Sequence, residues 1–206
     1  MAFSDFNYPS VVEELGLTER TVLDLFASVL PIPPGSALRA SLPLGMRLGP
    51  AVHSEAARSI WMVGPVLGDI WERYAGQLCL NAGVDFDADP AAKLTGYCDF
   101  ILSRGPQRSV VGPPVLLIFE AKRDSIPGGL GQCVAGIVGA QRYNRRHKAP
   151  IDPIYGCVTT GSLWKFLRLS GTELTTDITE YGIGQVEKLL GILTHIAGPI
   201  PEPVAA

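Results

Sequence analysis

The chain has 206 residues, of which 47% are hydrophobic and 18% are charged, a composition typical of one globular domain rather than a disordered segment. No apolar stretch reaches the roughly 18–20 residues that span a bilayer, and the N-terminus lacks signal-peptide features, so we expect a soluble, cytoplasmic protein without membrane contact. The net charge of −3 argues against a strongly basic, non-specific nucleic-acid binder.

The first 35 residues are predicted to form a helical extension ahead of a domain that spans residues 36–206. A short helix is expected from Ser10, and a second is expected where Thr18 caps the following apolar segment. Prolines, glycines and serines then indicate a loop that runs to Pro50.

The main domain is predicted to alternate helices and strands. Apolar residues recur at three- and four-residue steps over residues 54–80 and predict a helix, which Pro65 should kink or interrupt. Two strands around Asp99 and Glu120 follow, joined by a turn rich in glycine and proline. Further elements are expected at residues 130–145 (helix), 153–159 and 163–169 (strands) and 185–196 (helix). This order predicts an α/β fold with a mixed central sheet flanked by helices.

Charge is unevenly distributed along the chain. Residues 1–30 and residues 170–206 each carry one basic and five acidic side chains, whereas residues 31–169 carry fifteen basic and ten acidic ones. A polyanion would therefore meet the middle of the chain. The acidic first thirty residues could instead dock a protein partner, and the sequence leaves a homodimer open.

Three ionisable side chains lie at the ends of predicted core strands. Asp99 interrupts an apolar segment, and Glu120 and Lys122 end a second one. Glu120 and Lys122 point to one face of a strand, and antiparallel pairing would bring Asp99 to the same place. Two converging carboxylates repel each other, and a cation that prefers oxygen ligands, such as Mg²⁺, removes that conflict. A lysine beside the metal can orient or activate a water, which suits phosphodiester hydrolysis.

The segments YCDFIL (residues 97–102) and LLIFEAK (residues 116–122) resemble the core of the PD-(D/E)xK nuclease superfamily, which has the restriction-endonuclease-like fold. The resemblance implies an αβββαβ core, here at about residues 54–169, and Mg²⁺-dependent cleavage of DNA, with Mn²⁺ as an alternative metal. The two metal-binding acids and the motif lysine of the superfamily fall on Asp99, Glu120 and Lys122.

Two further candidates come from the same resemblance. Gln132 falls on a glutamine that several branches carry at the start of the helix after the lysine strand. Many branches place a glutamate on the preceding helix, and Glu55 fits because it lies about 100° from the apolar stripe, whereas Glu72 lies opposite. Glu55 could instead favour the helix N-terminal dipole, and Gln132 could belong to a plain helix–sheet contact.

A basic cluster near the end of the predicted helix could contact phosphates, with an aromatic ring available for stacking. Its members are Arg142, Tyr143, Arg145, Arg146 and Lys148. The same charges would also favour a helix C-terminus.

The sequence thus predicts a Mg²⁺-dependent nuclease, and the alternative is an inactive module of the same fold that binds nucleic acid or a protein partner.

Overall fold

The computed structural model describes residues 2–74 and 76–200, and within them eight strands form one mixed sheet. The strands are β1 (Thr18–Val22), β2 (Leu78–Asp89), β3 (Leu94–Arg104), β4 (Val115–Ala121), β5 (Ile154–Thr159), β6 (Leu163–Ser170), β7 (Glu173–Asp177) and β8 (Tyr181–Gly182). Their order is β1-β7-β6-β5-β4-β3-β2, with β8 paired to β6. The β1–β7 and β4–β5 pairs are parallel and the others are antiparallel.

Helices cover both faces of this sheet. They are α1 (Ser10–Glu14), α2 (Ser36–Ala51), α3 (Glu55–Arg58), α4 (Gly64–Arg73), α5 (Pro127–Arg146) and α6 (Val186–Ala197). Apolar side chains of α2, α4 and α6 form one buried cluster with the sheet, and those of α5 form a second cluster on the other face. Every residue of β4 is buried, as expected for a strand covered on both faces. The predicted α/β class with a mixed sheet and flanking helices is confirmed.

Most elements from β3 onward agree with the sequence-based prediction. The expected strands coincide with β3, β4, β5 and β6, and the expected helices coincide with α5 and α6. Strands β7 and β8, which complete the sheet after β6, were not predicted. None of the helices within residues 2–74 and 76–200 has the length and hydropathy that crossing a bilayer requires.

The second predicted N-terminal helix is wrong. Helix α1 begins at Ser10 as expected, but Thr18–Val22 forms β1 at one edge of the sheet and pairs in parallel with β7. Thr18, Thr21 and Val22 are β-branched and suit an extended conformation, and β7 supplies main-chain partners that no local pattern reveals. The division of the chain at residue 35 stays a prediction.

The predicted loop before Pro50 is also wrong, because α2 occupies Ser36–Ala51. Its buried residues, Leu38, Leu42, Gly45 and Gly49, recur at helical spacing. Gly45 packs directly on the main chain, since a Cβ there would lie 1.9 Å from the carbonyl oxygen of Trp61. This tertiary packing offsets Pro43 inside the helix, a residue that costs about 3 kcal/mol in a helix interior.

The helix predicted over residues 54–80 is shorter and has three parts. Helix α3 continues through a π-helical turn, Ser59–Val63, into α4, which ends at Arg73. The π-helical turn lies directly before Pro65, where a regular helix would need the N–H that proline lacks. The chain then enters β2 at Leu78, a strand that the helical pattern concealed.

Candidate active site at the ends of β3 and β4

Strands β3 and β4 form the predicted antiparallel pair. Phe100 lies opposite Phe119, and this register places Asp99 next to Glu120. Beyond this pair, Oδ2 of Asp99 accepts a hydrogen bond of 2.7 Å from the main-chain N–H of Ala121. The Asp99 carboxylate thus takes the place that a main-chain carbonyl oxygen has in a regular strand pair. It lies beside Ala121, the residue after Glu120.

A local twist explains why Asp99 leaves the regular strand pattern. Residues two apart on a strand normally share a face, yet Cys98 contacts the α5 cluster and Phe100 contacts the opposite cluster. Opposite this point, Gly83 of β2 has a φ of 62°, in the left-handed region that glycine adopts without strain. The twist between β2 and β3 therefore occurs at Gly83 and Asp99, and it turns the carboxylate toward Ala121.

Glu120 is a buried acid whose side chain bonds to one other side chain among residues 2–74 and 76–200. Its side chain lies on the α5 face with 3% of the residue exposed, and Oε1 accepts a hydrogen bond of 2.5 Å from Nζ of Lys122. Burial, with a further contribution from the negative charges of Asp99 and Glu55, raises the pKa of Glu120 to about 8 against the opposing contact with Lys122. A buried carboxyl with so perturbed a pKa and so few partners is typical of a functional site.

The neighbouring groups are electrostatically coupled to Glu120. Burial raises the pKa of Asp99 despite the hydrogen bond from Ala121, and the charge of Glu55 acts in the same direction. Burial disfavours the charge on Lys122, but the contact with Glu120 and the nearby acids outweigh it and raise the pKa of Lys122. Lys122 is therefore a stable ammonium group that donates hydrogen bonds rather than accepting protons.

The two candidates that came from the resemblance lie around the same site. Oε1 of Gln132, on α5, is 3.5 Å from Nζ of Lys122, and its Nε2 donates to the carbonyl oxygen of Tyr97 at 3.4 Å. Glu55 begins α3 and lines a cavity of about 510 Å³ together with Lys122. Ser54 caps this helix by accepting a hydrogen bond from Ala57. The structure thus groups all five predicted catalytic residues.

Close approach of α5 to β4 depends on a glycine that sequence reasoning missed. A Cβ at Gly129 would lie 2.7 Å from Cγ1 of Val158, 3.1 Å from Cγ of Lys122 and 3.2 Å from Cγ of Glu120. Glycine at this position lets the first turn of the helix cover both charged side chains. The signal in the sequence is the pair Gly128-Gly129, which begins six residues after Lys122, where a helix former would otherwise be favoured.

The predicted basic cluster lies elsewhere on α5. At about 1.5 Å per residue, its members Arg142 to Arg146 are about 15–21 Å along the helix from Gln132, and Lys148 lies beyond the helix. Arg142 pairs with Asp89 at 3.2 Å, and the ring of Tyr143 packs against Phe86 with centroids 5.1 Å apart. The remaining members are exposed: Arg145, Arg146 and Lys148. The structure does not bring this cluster to the site, and its contact with DNA stays a prediction.

The donor set fits a hard divalent cation. Within residues 2–74 and 76–200, no group of three or more His, Cys, Asp or Glu side chains is arranged to hold a metal ion. Asp99 and Glu120 would supply two carboxylate ligands, fewer than such a group contains. Mg²⁺ normally completes its coordination shell with waters and phosphate oxygens. Asp99 and Glu120 offer oxygen ligands whose mutual repulsion a cation would relieve.

Comparison with known proteins does not assign the chain to a family. No protein-family model matches the chain, and a search of curated proteins found no significant match. The arrangement of Asp99, Glu120 and Lys122 is therefore the basis for a functional assignment.

Proposed function

We propose that the protein is a Mg²⁺-dependent nuclease that hydrolyses phosphodiester bonds of DNA. The observation that carries the proposal is the meeting of Asp99 and Glu120 on the adjacent antiparallel strands β3 and β4, where the pairing of the two strands ends. Lys122 contacts the second of these acids. Two coupled carboxylates and one ammonium group form a site that can hold a metal and a phosphate together.

The order of elements around the site supports this proposal. Residues 55–73 form a helical segment, followed by β2, β3 and β4, then α5 and then β5. This is the αβββαβ order that the resemblance to PD-(D/E)xK nucleases implies. The candidate ligands occupy the second and third strands of that order, and Glu55 lies on the helix that precedes them.

The roles of the side chains follow from their charges and contacts. When bound by Asp99 and Glu120, Mg²⁺ would supply Lewis acidity and a water of lowered pKa as the nucleophile, and Mn²⁺ could replace it. Lys122, held as an ammonium group, donates a hydrogen bond to the attacking water or to a phosphate oxygen on which charge develops. Gln132 limits the rotation of Lys122 from the α5 side, and Glu55 lies at the cavity that Lys122 lines.

Incubation with circular, nicked and single-stranded DNA tests the proposal. Wild type is expected to cleave at least one of these DNAs with Mg²⁺ or Mn²⁺ and none with EDTA. Lys122→Met should lose cleavage at least about 100-fold, because it removes a donor that stabilises the transition state. Lys93→Met, at an exposed lysine between β2 and β3, is the matched control and should cleave as wild type does.

Two results would overturn the proposal. Cleavage at the wild-type rate by Lys122→Met would show that another site performs the chemistry. Failure of wild type to cleave any of the three DNAs with either metal would favour the inactive module, whose role would be to bind nucleic acid or a protein partner.

A further inference from the structure

An arginine next to the candidate active site is only partly satisfied by the protein. Arg58 ends α3, one turn after Glu55, and its Nη1 donates to the carbonyl oxygen of Thr160 at 2.9 Å and to Oγ of Ser162 at 3.4 Å. Within the described part of the chain, its buried Nε–H has no hydrogen-bond partner. Both acceptors thus engage the same guanidinium nitrogen, Nε–H is buried, and the N–H donors of Nη2 are the ones left for a ligand.

Arg58 lines a second cavity that adjoins the first. This cavity has a volume of about 410 Å³ and is also lined by Thr160, Ser162 and Glu180. The segment 123–125 lines both this cavity and the one that contains Glu55 and Lys122. The two cavities therefore adjoin at one short segment, and one extended ligand can occupy both.

The acids that line the second cavity with Arg58 pair with other residues. Two carboxylates line the second cavity, but Asp124 pairs with Arg123 at 2.5 Å and Glu180 lies 3.9 Å from Lys165. Among residues 2–74 and 76–200, Arg58 forms no ion pair. A guanidinium group without a paired acid favours an anion with several oxygens, and a phosphate oxygen suits the free donors of Nη2.

We propose that Arg58 binds a phosphate of the DNA strand next to the phosphate that is cleaved. This inference rests on the proposed nuclease function and specifies the path that the DNA strand takes across the protein. The strand runs from the cavity of Glu55 and Lys122, past the segment 123–125, to the cavity of Arg58. The turn at Thr160 and Ser162 holds the guanidinium group in place, so Arg58 is a positioning residue that contacts the substrate but not the reacting bond.

Fluorescence anisotropy with a short fluorescein-labelled DNA, single-stranded and as a duplex, tests this inference. The titration is done in EDTA, where the proposed chemistry cannot occur and binding alone is measured. We expect Arg58→Gln to raise the Kd about tenfold. It should also reduce the slope of log Kd against the logarithm of the salt concentration by about one, the change expected for the loss of one phosphate contact. The control is Arg39→Gln, an exposed arginine that also donates to a main-chain carbonyl, of Pro34 at 3.1 Å, and it should bind as wild type does.

Thermal melting separates lost binding from lost folding. If Arg58→Gln does not fold, Arg58→Lys takes its place, since it keeps the charge but loses the planar fork. Weaker binding by a variant that melts as wild type does supports the inference. Wild-type affinity and salt dependence in any folded variant of Arg58 would overturn it.

The outcomes also separate this inference from the proposed function. Metal-dependent cleavage that requires Lys122, together with unchanged binding by Arg58→Gln, would keep the nuclease and remove the positioning role. Absence of binding by wild type to either form of the DNA would overturn the positioning role and contradict the nuclease as well. Where wild type cleaves, Arg58→Gln should raise KM more than it lowers kcat, because the contact is made in the substrate complex and in the transition state alike.

Discussion

Two buried carboxyl groups, Glu120 on β4 and Asp177 at the end of β7, lie in the same sheet but in different surroundings. Asp177 is fully buried and accepts hydrogen bonds from the main-chain N–H groups of Leu25 (3.1 Å) and Thr179 (3.0 Å), and the hydroxyl of Tyr181 lies 3.0 Å away. Glu120 is almost as buried, yet within residues 2–74 and 76–200 its side chain bonds only to Lys122.

The difference separates a buried acid that hydrogen bonds satisfy from one that they do not. Burial raises the pKa of Asp177, but hydrogen bonds from Leu25, Thr179 and Tyr181 oppose that shift and connect the N-terminal segment to β7. Glu120 lacks such a set of donors, and nearby acids add to the effect of burial. A protein that retains an under-bonded acid in its core is expected to use it for a ligand.

The largest expected effect is on catalysis at Glu120. Glu120→Gln should lower the rate of Mg²⁺-dependent cleavage at least about 1000-fold, because the amide is a poor replacement for a metal-binding carboxylate. Its free energy of unfolding should stay the same or rise by up to about 1 kcal/mol, since no charge then has to be buried. Cleavage assays and urea unfolding check the two parts. A loss of several kcal/mol would show that Glu120 is structural, as Asp177 is.

At Asp177 we expect a large effect on stability and none on metal binding. Asp177→Ala should lower the free energy of unfolding by about 2–3 kcal/mol, because it leaves the partly buried N–H groups of Leu25 and Thr179 without their acceptor. Metal binding per folded molecule should not change. Urea unfolding measures the effect, with the exposed Asp87→Ala of β2 as the control. A variant as stable as wild type would remove the contrast between the two acids.

A smaller effect is expected at the first turn of α5. Gly129→Ala should cost about 1–2 kcal/mol of stability and weaken metal binding, because its Cβ would press on Val158, Lys122 and Glu120. Gly128→Ala is the matched control, since a Cβ there has no atom within 4 Å, and alanine in a helix should stabilise by up to about 1 kcal/mol. Thermal melting of both variants checks this prediction. Equal effects would contradict the close approach of α5 to the site.

The smallest effect is expected at Gln132. Gln132→Ala removes a neighbour 3.5 Å from the ammonium group of Lys122 and leaves the carboxylates in place. We expect kcat to fall about tenfold or less, with stability within about 0.5 kcal/mol of wild type. Steady-state kinetics measure the change. A loss as large as that of Glu120→Gln would assign Gln132 a role at the metal instead.

The sequence predicts best the elements whose pattern depends on burial alone. Strands β4 and β5 are buried on both faces, so each forms a continuous apolar run that can be recognised without its neighbours. Strand β1 and helix α2 were missed for the opposite reason. The edge position of β1 depends on pairing with β7, and α2 depends on packing of Gly45 against Trp61, neither of which a local pattern contains.

The same distinction applies to the site. The two-residue period of β4 is sufficient to place Glu120 and Lys122 on one face, and one antiparallel pairing adds Asp99. Gly129 and Arg58 could not be found this way. Their roles arise where α5 meets β4 and where α3 meets the turn after β5, and these contacts join residues that are far apart in the chain.

Calorimetric titration of the metal-free protein with Mn²⁺ tests the central claim most directly. Asp99→Asn and the exposed Asp87→Asn carry the same change in charge, and only the first alters the site. We predict one binding site in wild type and in Asp87→Asn, and a loss of at least about tenfold in affinity in Asp99→Asn. Absence of Mn²⁺ binding in wild type, or equal affinity in all three proteins, would contradict a metal site shared by Asp99 and Glu120.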